Sequence, residues 1–596
     1  MGLVTSKEVA KAIHLDKYGF IGTFIGWMLM KVTKISSINS FYDKHKHLEE
    51  VAFLDAILDY YEIKFEVPEE DFKRLPKDGA YITISNHPLG GVDGILLLKL
   101  LLEHRSDFKI MANFLLNRIE PIAPYIMPVN PFENRKDVKS SIAGFKSAML
   151  HLKEGHPLGI FPAGEVSTYR DGKLIVDKPW EEAALKLIRK AEVPVIPIYF
   201  HAKNSRLFYR LSKISDVFRT AKLPSEITTQ RNRPIKVRIG QPISVKLQKE
   251  QKTLADFTEL LRKKTYILSK VYVKERLIDK VPTTLKFPKA PKKIVTPIAK
   301  KVLEGEIISL REKDCRLLQS KNYEVFLAKE NQMPYILKEI GRQREVTFRA
   351  IGEGTNNSID LDVFDAYYHH LFLWDSEAKT VVGAYRMGMG ADIFEKYGID
   401  GFYLQDLFRV EPELYGMMSQ SIEMGRAYIV KEYQQKPMPL FLLWKGIVHT
   451  TLRHPEHKYL IGGVSISNQF SNFSKSLMIE FMKSNYWDPY VAQYIRPKKE
   501  FKVQLKDADK EFVFDAAQAD LNKFDKLIDE VEPGSLRLPV LIKKYIKQNA
   551  KVVAFNVDPL FNNSVDGLMY IRIADLPEST VKPVMEEFQA ELERKL

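Results

Sequence analysis

The sequence predicts an α/β protein of two domains, and three observations carry that expectation. Short β-like runs alternate with longer helical stretches in the first half, and a second mixed series follows in the second half. Between them residues 280–301, KVPTTLKFPKAPKKIVTPIAKK, hold seven Lys, four Pro and no acid. Such a composition builds no core and stays extended. The expected plan is an interfacial helical segment at 1–50, a first α/β domain at 51–278, a linker at 279–303 and a second mixed α/β domain at 304–596.

In the first domain the β-like runs are 81–85, 158–161, 193–200 and 235–239, and the helical ones 139–153 and 180–191. In the second, strands are expected at 381–386 and 459–467, with helices at 417–432, 440–454 and 470–484. No repeat of fixed period is present, which removes solenoids and propellers. Residues 18–30, YGFIGTFIGWMLM, run without a charge, yet crossing a bilayer takes about 20 apolar residues. Neither a cleavage site nor a clear basic leader marks a signal peptide. The segment reads as a helix lying in the interface, with Trp27 and Lys31 at headgroup level.

At 596 residues, 45% of them hydrophobic, the chain has matter for full cores, which excludes wholesale disorder. Its 90 Lys and Arg against 76 Asp and Glu leave a net charge of +14. That favours an anionic partner: a membrane surface or an acidic carrier protein. Nucleic acid drops out because no binding motif is present. The lone Cys315 forbids an internal disulfide and a multi-cysteine zinc site. No metal is expected, and the expected place is cytoplasmic, peripheral on the inner face of the cytoplasmic membrane.

The first chemical signal is YITISNHPLGGVDGILLLKLLLE, where Asn86-His87-Pro88 ends a strand and Asp93 opens an apolar helix. A carboxylate beside an imidazole orients the ring and stabilises its cation while it takes a proton from a hydroxyl, so that the oxygen can attack a thioester. As a bare pair the two fit a helix cap equally well. Three blocks follow in order: Phe132-Glu133-Asn134-Arg135, Phe161-Pro162-Ala163-Gly164-Glu165 and Val193-Pro194-Val195-Ile196-Pro197.

Together the four blocks resemble the phospholipid/glycerol acyltransferase family over about residues 60–250. The resemblance implies His87 as general base, Asp93 as its orienting partner and Arg135 as a cation anchoring the acceptor. It implies Asn86, Phe161, Pro162, Gly164 and Glu165 as part of the acceptor wall. Two departures stand out. Five residues, not the family's four, separate His87 from Asp93, which on a regular helix swings the carboxylate by about 100° unless the glycines make a bulged turn. The family's third-block Glu is Ala163 here, with Glu165 two places later. An acceptor other than ordinary glycerol 3-phosphate is therefore expected.

Past the linker come Glu339-Ile-Gly-Arg342-Gln-Arg344-Glu345, Phe348-Arg349, HLFLWD ending at Asp375, VVGAYRM containing Arg386, and EMGRAYI beginning at Glu423. Glu-x-x-Arg spacings such as Glu423 to Arg426 suit an ion-paired cleft wall, since buried charges need partners. A purely scaffolding pair fits the same residues. From about residue 323 to the end the series resembles the ornithine-acyl-ACP N-acyltransferase family, itself similar to acyl-homoserine-lactone synthases. The resemblance implies Glu423 and Arg426 as catalytic candidates and Arg342, Arg349 and Arg386 as substrate-binding. No glycine-rich pyrophosphate loop is evident, which favours acyl carrier protein over acyl-CoA as donor; no further cofactor is expected.

The two halves together resemble bifunctional aminolipid synthases. The resemblance implies N-acylation of an amino acid, ornithine or glycine, with a 3-hydroxyacyl group, then O-acylation of the hydroxyl of the resulting lyso-lipid. Two other readings fit the same residues: a lysophosphatidic acid acyltransferase fused to an unrelated N-acyltransferase, and a non-catalytic, haemolysin-like membrane binder.

Overall fold

The computed structural model describes the chain apart from residues 1–2, 13–14, 130–137, 171–173, 215, 232, 273–290, 507–509, 511–518, 535, 560 and 596. It divides into two compact units, Met1–Lys274 with Asp529–Leu536, and Glu275–Ile528 with Arg537–Leu596. Arg135 and residues 280–290 of the expected linker lie outside the described residues.

The first unit is built on a seven-stranded sheet of order β1-β9-β8-β2-β5-β3-β4. Its strands are β1 (Phe65–Glu66), β2 (Ile82–Ser85), β3 (Lys109–Asn113), β4 (Ile126–Val129), β5 (Leu158–Ile160), β8 (Val195–His201) and β9 (Ile235–Ile239), while β6 (Thr168–Arg170) and β7 (Leu174–Val176) form a separate hairpin. All pairings in the sheet are parallel except β8 with β9. A parallel sheet is covered on both faces, so its strands are continuously apolar, and all four residues of β2 are buried. Neighbours in β8 go to different cores, Val195 to the one around Leu158 and Phe257, Ile196 to the one around Leu97 and Leu101. Strand order then does something the linear sequence hides. Because β5 and β2 are adjacent and parallel, the first and third motif blocks, which follow them directly, meet at one carboxyl end of the sheet, where open α/β sheets bind ligands, while the fourth block, 193–197, runs into the start of β8 at the other end.

One buried ionic cluster closes the opposite wall of this unit. Asp71 Oδ2 takes Arg238 Nε at 2.7 Å and its Oδ1 lies 3.1 Å from Arg74 Nη1. Both guanidiniums also donate to carbonyls of the segment that returns from late in the chain, Arg238 to Val531 at 3.0 Å and Arg74 to Asp529 at 2.9 Å. One carboxylate thus holds two buried cations that grip residues 529–536.

Helix α1 (Gly19–Val32) covers the expected apolar run. Its small face is inward: a Cβ on Gly22 or Gly26 would sit 1.9 or 2.3 Å from the backbone oxygens of Leu15 and Ser6. Its large residues point out, with Phe20 85% and Ile21 64% exposed, and Phe24, Trp27, Met28 and Val32 exposed beside them. Lys31 Nζ lies 4.1 Å from the Trp27 ring centroid. Among the described residues no helix is long and apolar enough to cross a membrane.

The second unit holds an eight-stranded sheet of order β10-β11-β12-β13-β15-β16-β19-β18. Its strands are β10 (Arg316–Ser320), β11 (Tyr323–Ala328), β12 (His369–Asp375), β13 (Thr380–Met389), β15 (Ser421–Ile429), β16 (Tyr459–Ile466), β18 (Lys551–Asp558) and β19 (Ser564–Arg572); β14 (Phe408–Val410) and β17 (Ile495–Pro497) pair apart. Residues 291–299 run extended, as the composition implies, but against this unit: Lys292 and Val295 donate backbone N–H groups to Asn356 and Ser358. Helices α2 (Gly91–Leu102) in the first unit and α3 (Pro334–Ala350), α4 (Gly390–Tyr397) and α5 (Pro437–Arg453) in the second complete the parts used below.

The helix expected at 417–432 is not there. A five-residue helix, Tyr415–Ser419, leads into β15, the buried centre of the sheet. Its Glu-x-x-Arg spacing mimics a helical period, and tertiary burial overrides that local signal.

Replacing Asp71 with Ala leaves two buried guanidiniums without their carboxylate. It is expected to cost about 3–5 kcal/mol in chemical denaturation of the first unit, against a negligible change for the exposed ion pair Lys249 to Glu192.

Candidate active site

The first constellation sits in the turn between β2 and α2. Gly90 has φ +80°, and a Cβ there would meet Leu223 and Val166 at 3.0 to 3.1 Å, so only glycine fits. That turn absorbs the extra residue between His87 and Asp93. Asp93 Oδ2 accepts the N–H groups of Leu89 at 2.7 Å and Gly90 at 3.1 Å, and stands 3.1 Å from His87 Nδ1. The imidazole and carboxylate are within reach but not aligned as a hydrogen bond, a looseness common before substrate binds. Asp93 is fully buried; burial raises its carboxyl, and the adjacent imidazole pulls it back. The His87 ring packs on Phe161, centroids 4.3 Å apart.

The rest of the wall is fixed from several strands. Asn86 ties β2 to β8, donating to the Phe200 carbonyl at 3.0 Å and accepting its N–H at 2.7 Å. The Pro162 carbonyl accepts from Glu181 N–H, and Gly164 turns at φ +64°. Glu165 is ion-paired with Lys178 and with Arg219 at 3.0 Å. Burial would raise its carboxyl, but the two cations hold it below the usual range. It reaches these cations rather than His87. Asp177, not singled out from sequence, is 1% exposed and accepts both the His87 backbone N–H at 3.2 Å and the Ser167 hydroxyl at 2.5 Å. It clamps the β2–α2 turn to the β6–β7 hairpin. A cavity of ≈460 Å³ opens beside the turn, lined by Asn86, Pro88, Ser167, Tyr199, Lys203 and Arg233 among others.

In the second unit β15 and β16 are the one parallel pair of their sheet, and they pair only from Ser421 with Tyr459 to Glu423 with Ile461. A Cβ on Gly462 would lie 2.2 Å from the Met424 carbonyl oxygen, so glycine permits the close approach just before the strands part. Across β13 the register slips: Ala384 faces Tyr428 and Arg386 faces Gly425, so Arg426 and Ala427 oppose Tyr385 alone. Arg426 takes φ +50° in this bulge. Parting strands leave backbone groups free for an extended ligand to pair with.

Glu423 lies at that fork. Its carboxylate accepts Tyr368 Oη at 2.5 Å and the N–H groups of Tyr403 and Leu404 at 3.1 and 2.8 Å. Burial pushes it up to about 7. It is not paired with Arg426: three residues along a strand span about 10 Å, against a single turn on a helix. Arg426 instead reaches Asp362 at 3.4 Å, Asp360 at 3.5 Å and Tyr403 Oη at 3.2 Å. Arg386 meets Asp362 at 2.5 Å, and Arg344 meets Asp365 at 2.8 Å. The same Glu-x-x-Arg spacing does pair on helix α3, where Glu339 and Arg342 are one turn apart at 2.5 Å. Arg349 likewise pairs with Glu345 at 2.6 Å and holds the Lys292 and Asn357 carbonyls. Arg342 and Arg349 thus brace α3, while Glu423, Arg386 and Arg426 gather around Tyr403 and Tyr368. The network's acids lie in the run Asp360-Leu-Asp362-Val-Phe-Asp365, a density of carboxylates visible in sequence but unremarkable without its arginines.

Comparison with known proteins follows the same division. A family model described as acyltransferase matches residues 6–273, and an acetyltransferase (GNAT) domain model matches residues 343–444. A lyso-glycine lipid O-acyltransferase of Bacteroides thetaiotaomicron is 31% identical over 275 residues, 45% of this chain and 97% of that protein. A glycine N(alpha)-acyltransferase of the same organism is 27% identical over 271 residues, 42% of this chain and 77% of that one. The solved structure of a 1-acyl-sn-glycerophosphate acyltransferase from Thermotoga maritima is 16% identical, covering 44% of this chain and 91% of that one, with a TM-score of 0.24.

The raised carboxyl of Glu423 has a consequence for stability. The folded chain holds this proton up to about pH 7, whereas an unfolded Glu releases it near 4.3. Its contribution is therefore full below about pH 4.3 and lost as pH rises through about 7. Glu423→Gln is expected to flatten the fall in stability across that window by an amount on the order of 3 kcal/mol, measured by denaturation at a series of pH values; an unchanged slope would mean the group is ionised throughout.

Proposed function

The chain belongs to the acyltransferase family and carries a GNAT acetyltransferase domain, and from that premise we propose that it is a bifunctional enzyme of membrane aminolipid synthesis. It N-acylates an amino acid with a 3-hydroxyacyl group and then O-acylates the new lyso-lipid. One observation carries this reading: a His–carboxylate pair and a protonatable carboxylate at a fork of parallel strands occur in the same chain. The names of the two relatives favour glycine over ornithine as acceptor.

In the first transfer the amine gives a proton to Glu423, whose raised pKa suits a base working near neutrality. The nitrogen attacks the thioester carbonyl, the C–S bond breaks, and Glu423 returns the proton to the departing carrier thiolate. In the second, His87 takes the proton of the 3-hydroxyl, the oxygen attacks a second acyl thioester, and the imidazolium returns the proton to the departing thiolate. Asp93 holds the ring and offsets its positive charge. Lys203 and Arg233, on the rim of the cavity beside His87's turn, suit the carboxylate of an amino-acid lipid. Acyl carrier protein is the proposed donor, drawn by the net positive charge. Helix α1 rests on an anionic membrane surface with Phe20, Ile21, Phe24 and Trp27 in the interface. Fusion keeps the lyso intermediate at a high local concentration beside its next site.

Lipid profiling separates the steps. His87→Ala is expected to accumulate the mono-acylated lipid and lose the mature one by about 10²–10⁴-fold. Glu423→Gln is expected to lose both, while added lyso-lipid is still esterified. Normal mature lipid from His87→Ala, or acylation of lysophosphatidic acid in its place, would defeat this reading. On vesicles containing anionic lipid, Phe20→Ser with Trp27→Ser should lower partitioning about 10²-fold; unchanged sedimentation would remove α1 from the membrane.

A further inference from the structure

In the second unit, the turn between α5 and β16 gathers three metal-ligating side chains in the run His454-Pro455-Glu456-His457. We infer that this turn is a site for a divalent transition cation of the zinc type, held by His454 Nδ1, Glu456 Oε1 and His457 Nδ1. The Glu456 oxygen lies 3.3 Å from His454 Nδ1 and 3.2 Å from His457 Nδ1, and all three atoms lie within 4.8 Å of one another. A tetrahedral ion with bonds of about 2.0–2.2 Å sets its ligand atoms about 3.3–3.6 Å apart, so two of the three edges have the required length before any ion is present.

The surroundings support a cation over chance proximity. His457 is 3% exposed, and its Nδ1 has no hydrogen-bond partner, a costly condition for a buried polar atom unless something binds it. His454 is the C-cap of α5, a 17-residue helix whose last carbonyls present the negative end of its dipole. His454 and Glu456 are accessible, so an ion can enter, and His454 also lines a cavity of ≈450 Å³ with room for the water that would complete the shell. The contacts the ion would displace are long: His454 Nδ1 to Glu456 Oε1 at 3.3 Å, and the Ala391 N–H, in the first turn of α4, which points at His457 Nε2 from 3.4 Å. With metal on Nδ1 the ring proton moves to Nε2 and that contact is given up.

The role follows from position. His457 lies before the start of β16, four residues ahead of Ile461, the register partner of Glu423. The ion is therefore no part of the acyl transfer; it staples the end of α5 to the start of β16 and so fixes one arm of the fork.

The test uses the untagged full-length chain, stripped with chelator and titrated with Zn²⁺ by calorimetry, then loaded with Co²⁺ for visible spectroscopy. One equivalent of Zn²⁺, tetrahedral Co²⁺ bands and a raised melting temperature are expected. Affinity should fall at least about 10-fold in each of His454→Ala, Glu456→Gln and His457→Ala, and remain unchanged in the exposed control His47→Ala. The first two variants alter accessible side chains, so the conclusion does not depend on His457→Ala folding. The amide resonance of Ala391 should shift on loading. Binding that all three variants retain, octahedral Co²⁺ spectra, or no binding with Ala391 unmoved would each overturn the site and leave Glu456 as a hydrogen-bond acceptor for the two imidazoles.

Discussion

A carboxylate buried where water cannot reach it must be held by hydrogen bonds, and each unit of this chain solves that problem the same way. Asp93 accepts two successive backbone N–H groups, from Leu89 and Gly90, and stands 3.1 Å from one titratable neighbour, His87. Glu423 accepts two successive N–H groups, from Tyr403 and Leu404, and one titratable neighbour, Tyr368. Backbone donors cannot drift as side chains do, so both carboxylates are locked in place, and the geometry around them is locked in turn. The positive φ of Gly90, the pairing of β2 with β8 through Asn86 and the clamp by Asp177 all serve the first anchor. The early parting of β15 from β16 and the bulge at Arg426 surround the second.

The two anchors differ in what they are poised to do. Beside Asp93 stands an imidazole, a base that the carboxylate orients; the carboxylate itself need never take up a proton. Glu423 has no cation in direct contact, since Arg386 and Arg426 are occupied by Asp360, Asp362 and Asp365, so burial dominates and its proton is held up to about pH 7. A hydroxyl and an amine are different nucleophiles, and in the proposed reaction an orienting carboxylate and a protonatable one are matched to them in that order.

Much of this was legible in the chain. The strand at 235–239 is found where the β-like run put it, and the first and third motif blocks lie at the carboxyl ends of β2 and β5 as an α/β reading requires. The contact of His87 with Asp93 was expected only if the glycines could bend the turn, and Gly90 does so. What sequence could not supply was partner choice across space. Glu423 and Arg426 have the same spacing as Glu339 and Arg342, yet only the second pair forms, because one segment is a strand and the other a helix. Asp177 stands in a stretch with no motif, and its importance comes entirely from the fold bringing it under His87. Residues 529–536 belong to the first unit despite lying late in the chain, a placement set by two buried arginines that no local pattern announces.

The central claim is that one chain performs two ordered acyl transfers joined by a common intermediate. The most direct measurement is a time course with the purified full-length protein on anionic vesicles, supplied with isotopically labelled glycine, 3-hydroxyacyl carrier protein and a second acyl carrier protein thioester, the products being followed by mass spectrometry. The account predicts that label enters the mono-acylated amide first, that the di-acylated lipid appears after a lag, and that unlabelled lyso-lipid added midway dilutes the label in the final product. A di-acylated lipid formed without a lag, a lyso-lipid that never proceeds, or transfer of the second acyl group to an unrelated acceptor would contradict it.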